Sequence, residues 1–326
     1  MTRRDVAALT VGVVAVTVAT AYWFVQLGEA GLLSVDWATY ANAFARWRDG
    51  LAVFDAVQTS GPYELPDVVR FGYAYPPPTV PFFAPFATFP VGFFLWETAN
   101  VAVLMTGLYA VMRHEIPDHS AMGFAVAMGA LALFAGYGIG IAAGNVNVGL
   151  AGILAWAWVL GRGHRAGIIA GAGAILKVVP GVLVFWTRPS SFSWTVAWAV
   201  VTAGTLSLIT LPFVGFQSWL DFAIALGNSM PICDAVGFHT SLACGAIELG
   251  IPITAAKLFS IVAAGALGLG ALWVTNDFIA FALVVFAMLA PVADMHAHSL
   301  LPLFVLAVVG VARTAGMRTR RSHSLR

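Results

Sequence analysis

Long apolar runs alternate with short polar breaks along nearly the whole chain. A helix needs roughly 20 apolar residues to cross a bilayer, and the pattern predicts eight spans, at 6–27, 91–112, 121–142, 147–161, 192–213, 255–274, 278–293 and 299–312. Two further stretches are apolar but do not read as simple spans. Residues 76–90 carry Pro76, Pro77, Pro78, Pro81, Pro85 and Pro90, too many blocked backbone donors for one regular helix. Residues 166–187 are interrupted at Lys177-Val178-Val179-Pro180. Both are expected to be half-depth hairpins, because irregular backbone at membrane depth survives only where it is buried in protein or lines a cavity.

Between the first two spans the pattern changes. Residues 36–78 form a polar and aromatic stretch with four of the seven tyrosines (Tyr40, Tyr63, Tyr73 and Tyr75), ending in Tyr-Pro-Pro-Pro. A second long break covers 214–254, with an amphipathic segment at 219–226 followed by a polar turn holding Cys233 and Cys244, which a disulfide could join.

Composition places the chain in its class. Of 326 residues, 60% are hydrophobic and 10% charged, with mean hydropathy +0.88, whereas charged residues make up about a quarter of soluble domains. The fold class is therefore all-α and polytopic, one transmembrane domain over 1–326, with no basic excess to suggest nucleic acid. Arg3, Arg4, Arg113, Arg162, Arg165, Arg188 and the tail at 313–326 fall on one side of the predicted topology. The positive-inside rule makes that side cytoplasmic. Both termini are then inside, at a plasma membrane, and the loops 28–75 and 214–254, Asn145 to Asn147 and the Asp294-to-His298 turn lie outside. Arg46, Arg48 and Arg70 are the exceptions. The glycine-rich segments around Gly138 and over 265–270 are expected to be helix-packing faces.

The polar residues in this oily background carry the candidate chemistry. Asp36 and Tyr40 share a helical face at a spacing of four. Asp36 suits a general base for a substrate hydroxyl and equally an N-cap. Tyr75 leads a rigid proline segment that either presents rings to a substrate or simply begins a helix. Lys177 is a cation in an apolar segment, costly enough to need an anion such as a lipid phosphate, or else a buried carbonyl or acid such as Asp294. Asn145 and Asn147 open a helix, where they cap it or hold an anion or hydroxyl. Asp294, His296 and His298 alternate in a turn, a pattern open to a metal or a phosphate. No Walker or Rossmann glycine loop is present.

In order, Asp36-x-x-x-Tyr40, Tyr75-Pro76-Pro77, Gly144-Asn145-Val146-Asn147-Val148, Leu176-Lys177-x-x-Pro180 and the segment 291–296 resemble the motif series of glycosyltransferase family 87, polyprenyl-phosphate-mannose-dependent mannosyltransferases of the GT-C fold. The family usually has Gly-Gln-x-Asn where this chain has Gly144-Asn145, and a double histidine where it has Asp-Met-His-Ala-His. The resemblance implies an inverting transfer of a hexose, mannose above all, from a polyprenyl-phosphate donor to a glycolipid or glycan acceptor on the outer face, among membrane lipids. Asp36 would be the base; Tyr40, Tyr75, Asn145, Asn147, Lys177, His296 and His298 would bind substrate, with Lys177 and His296 on the donor phosphate. No cofactor or metal is implied. Broken helices around a buried lysine also suit a secondary transporter or flippase, and a non-enzymatic envelope partner is the third reading.

Overall fold

The computed structural model describes residues 2–31, 33–63, 73–231, 233, 241–292 and 296–324, with side chains as far as Met317. All named elements among them are helical. In chain order the α-helices are α1 (Arg3–Glu29), α2 (Val35–Arg48), α3 (Ala56–Ser60), α4 (Thr79–Ala87), α5 (Gly92–Glu115), α6 (Ser120–Ala132) and α7 (Ala135–Ala143). They continue with α8 (Asn147–Leu160), α9 (His164–Leu176), α10 (Phe192–Asn228), α11 (Leu242–Glu248), α12 (Ile253–Trp273), α13 (Asp277–Leu289) and α14 (Leu301–Ser324).

Each of the eight apolar runs is helical, but not all as one straight span. Among the described residues five helical segments are long and apolar enough to cross a membrane: α1, α5, α10, α12 and the segment that includes α14. The run at 121–142 is instead two helices, α6 and α7, bent by 73°. Those at 147–161 and 278–293 yield the shorter apolar helices α8 and α13. The protein is a multi-pass membrane protein.

Small residues set the closest helix contacts. A Cβ on Gly107 of α5 would lie 2.6 Å from the Gly152 carbonyl of α8, and one on Gly152 would lie 2.5 Å from the α5 backbone. Gly167 and Gly171 of α9 meet the α10 backbone at Thr195 and Ala199 in the same way. The expected glycine face at 265–270 is narrower than its composition suggests: Gly268 packs against Phe185, while Gly265 and Gly270 face open space.

Residues 166–187 turn back on themselves as a hairpin. Helix α9 ends at Leu176, Lys177 takes an extended conformation, and a 3-10 segment, Val179–Phe185, brings the chain back. Its ends close where Gly163 N–H donates to the Trp186 carbonyl at 3.2 Å. The proline-rich stretch differs from expectation, since 79–87 is one regular short helix, α4. The reason is positional. Prolines 76–78 precede the helix and Pro81 falls in its first turn, whose N–H groups have no intrahelical partner anyway, so Pro85 alone removes an interior bond.

The described parts of the two long polar breaks also hold regular structure. Arg46 folds the first back on itself, donating to the Ala52 carbonyl at 2.7 Å and lying 3.7 Å from Asp55. Arg70 lies outside the described residues. The segment expected at 219–226 is the last limb of α10, beyond a break at Gly215 (φ 75°, ψ 159°) that only glycine tolerates without strain. Cys233 and Cys244 are disulfide-bonded, with Cα atoms 5.2 Å apart. The basic tail is continuous with α14 as far as Ser324.

Candidate active site

Helix α2 begins against the end of α7: Ser34 N–H donates to the Ala142 carbonyl at 2.7 Å. Ser34 (φ 59°) is the N-cap residue, which displaces the capping reading of Asp36. Asp36 is the second residue of the helix, and Tyr40 follows one turn later on the same side. Trp37, between them, packs so closely on Gly144 that a Cβ there would lie 2.7 Å from the Trp37 Cβ. Gly144 has φ 85°, the left-handed conformation that ends α7 and turns the chain into Asn145.

Asn145 is the junction of the site. Its Nδ2 donates to Asp36 Oδ2 at 2.7 Å and lies 3.1 Å from His298 Nε2. Its Oδ1 accepts the Asn147 backbone N–H at 2.8 Å. One end of this buried amide thus satisfies an N–H at the start of α8, whose N-cap is Val146, and the other end faces Asp36 and His298. Asn147 in turn accepts a hydrogen bond from Lys177 Nζ on its Oδ1, at 2.9 Å. The positive N-terminal end of α8 and the negative C-terminal end of α9 meet here, and the latter favours the lysine cation.

Tyr75 and Tyr40 close the other side. Lys177 Nζ sits 6.0 Å from the centre of the Tyr75 ring. Tyr40 donates to Tyr75 Oη at 2.9 Å and accepts the Val146 N–H at 3.3 Å. Tyr40 is buried and stacks on Phe83 of α4, with centroids 4.3 Å apart. Burial, then the neighbouring tyrosine and Asp36, hold the Tyr40 phenol well above its ordinary range; burial and Asp36 raise Tyr75 likewise. Both remain neutral hydroxyls at working pH.

His298 is buried in the 3-10 turn Ala297–Leu300, and its ring stacks on His296 with centroids 5.2 Å apart. All eight candidate residues therefore lie in one connected group drawn from α2, α8, the α9 turn, the proline segment and the turn before α14. Asp294 lies outside the described residues, and among those described no three His, Cys, Asp or Glu side chains come together.

The sequence reading passed over Glu97 and Asn100 on α5. Both are buried, Asn100 Nδ2 lies 3.4 Å from Glu97 Oε1, and Glu97 Oε2 has no hydrogen-bond partner among the described residues. The next-door Trp96 donates to the Gly144 carbonyl at 2.9 Å, which puts this turn of α5 beside the site. The signal was available: a glutamate inside an apolar span is a functional candidate by default.

Apolar helices long enough to cross a membrane, with a connected group of polar side chains near the start of α8, define a membrane protein with a candidate site for a polar substrate. The chain belongs to glycosyltransferase family 87, whose sequence model matches residues 73–312. It is accordingly a membrane glycosyltransferase, with a sugar donor and an acceptor as substrates. The match includes Tyr75, Asn145, Asn147, Lys177, His296 and His298 but begins after Asp36 and Tyr40, which join the group through Asn145 and Tyr75. No curated protein and no solved structure shows significant similarity to the chain.

Proposed function

We propose that this glycosyltransferase transfers a hexose, mannose in the first instance, from a polyprenyl-phosphate donor to a lipid or glycan acceptor, with inversion, on the outer face of the membrane. The observation that carries the reading is the hydrogen-bonded series Asp36, Asn145, Asn147, Lys177, in which a carboxylate and a cation stand on one amide-linked frame. In a single displacement the acceptor oxygen attacks the anomeric carbon while Asp36 takes its proton. The bond from that carbon to the phosphate oxygen breaks, and the electron pair leaves on the polyprenyl phosphate. Lys177 and His296 neutralise that charge as it grows, in surroundings where low dielectric strengthens the interaction. Asn145 fixes the direction of the Asp36 carboxylate, and the Tyr40 and Tyr75 hydroxyls offer neutral donors to the sugar.

The test is transfer from radiolabelled polyprenyl-phosphate mannose in membranes. Asp36→Asn keeps the shape and removes the base, so the turnover rate should fall about 10²- to 10⁴-fold. A rate equal to wild type would remove Asp36 from the role. Transport of the donor without a glycosylated product would instead favour the flippase reading.

A further inference from the structure

Helices α8 and α9 have far ends as well. Helix α8 leaves the site at Asn147 and ends at Leu160, and α9 starts at His164 and returns to Lys177. The residues joining them are therefore about 20 Å from the site along the helix axes, at 1.5 Å per residue. A cavity of about 410 Å³ lies there, lined among others by Trp158, Arg162, Arg188, Asp277 and Arg313, with His114 and Glu115 at its edge. Beside it a hollow of about 360 Å³ extends past Arg313 to Gly316 and Met317.

The fold consumes part of this charge and leaves part over. Arg162 is used up, since its buried guanidinium donates to the carbonyls of Thr187, Ala271 and Val274 and pairs with Asp277 at 3.3 Å. Glu115 accepts the Trp158 indole N–H at 2.9 Å and lies 3.8 Å from His114. Both acids of the cavity are thereby engaged. Arg188 and Arg313 line it without an acidic partner among the described residues, and Arg313 is held with its guanidinium 5.6 Å from the centre of a Trp158 ring. Two planar, permanently charged forks facing a polar cavity suit a phosphoryl group.

Exposed tryptophans near the cavity indicate where that group comes from. Trp273, 76% exposed, directly precedes Val274, whose carbonyl holds Arg162; Trp194, 69% exposed, stands just after the 3-10 turn that follows Arg188. Exposed tryptophans of this kind sit at headgroup level, and the half-exposed Met317 offers an apolar flank. We propose that this cavity binds the phosphate headgroup of an anionic phospholipid, at the opposite end of the molecule from the candidate active site.

The test uses the full chain in nanodiscs of mixed phosphatidylglycerol and phosphatidylcholine, with retained lipids read by native mass spectrometry. Wild type should keep phosphatidylglycerol in preference. Arg188→Gln with Arg313→Gln should cut that preference about 30-fold, and each single change about 5-fold, from the usual worth of one basic side chain near an anionic surface. An unchanged preference in the double variant would overturn the proposal. So would binding of inorganic phosphate to wild type in phosphatidylcholine nanodiscs that the two changes abolish while the lipid preference persists, because the cavity would then serve a soluble anion. Arg188 is exposed and its side chain makes no hydrogen bond or ion pair among the described residues, so its single variant carries the test if the pair does not fold. Glycosyl transfer should stay at the wild-type rate in both.

Discussion

The two ends of α8 use nearby cations in opposite ways. At the Gly161 end, Arg162 is bound by the backbone carbonyls of Thr187 and of Ala271 and Val274 at the end of α12, groups that cannot move without disturbing the segments that carry them. At the Asn147 end, Lys177 is held by a side-chain amide and faces an aromatic ring, partners that can turn toward a ligand. A guanidinium with five fixed donors suits the first task, and an ammonium on a flexible stem suits the second. One cation closes the bundle; the other is proposed to meet substrate.

The contrast can be broken at either end. The largest effect is expected from Arg162→Gln, which leaves several buried carbonyls without a donor and should cost about 3–5 kcal/mol of stability. Thermal unfolding in detergent would show it, with transfer per folded molecule unchanged; a loss of transfer without a loss of stability would erase the distinction between the ends. Gly144→Ala is expected to act on the site end, through the positive φ and the Trp37 contact, at about 1–3 kcal/mol. Because Asn145 follows directly, activity should fall further than stability, as seen by comparing transfer rate with melting temperature.

The smallest effect is a pH dependence. The Tyr40 and Tyr75 phenols have folded-state values raised above the ordinary 10.0. Their contribution to stability is complete below pH 10 and is lost as pH rises beyond it, since the unfolded chain ionises first. The melting temperature should therefore decline above about pH 10, and Tyr40→Phe with Tyr75→Phe should flatten that decline. An equal slope in both proteins would mean that these hydroxyls are not the ones protected.

Much of this was legible along the chain. The apolar runs marked the helices, and Lys177-Val178-Val179-Pro180 marked the α9 turn, because a charge and a proline stop a buried helix whatever surrounds it. Pairing across the fold was less visible. Asn145 read as a cap; it stands one residue before the N-cap Val146 and accepts the Asn147 N–H, and its other amide atom reaches Asp36, 109 residues away in sequence. Glu97 passed as part of a span, since one acid barely changes the mean hydropathy of a 24-residue helix. The bend between α6 and α7 was hidden for a related reason: hydropathy averages over a window and does not register direction.

By itself the sequence determined that this protein lives in a membrane, that its helices are interrupted at Lys177 and Gly144, and that Asp36, Tyr40, Tyr75, Asn145, Asn147, Lys177, His296 and His298 are its unusual residues. Local properties suffice for that, because burial in lipid penalises each charge and each missing backbone bond where it stands. The tertiary structure alone decided that these eight converge on one connected group and that Arg162, Arg188 and Arg313 line a cavity about 20 Å away. Convergence depends on which helices touch, and the glycines of α5, α8 and α9 set that by letting backbones approach across long stretches of sequence.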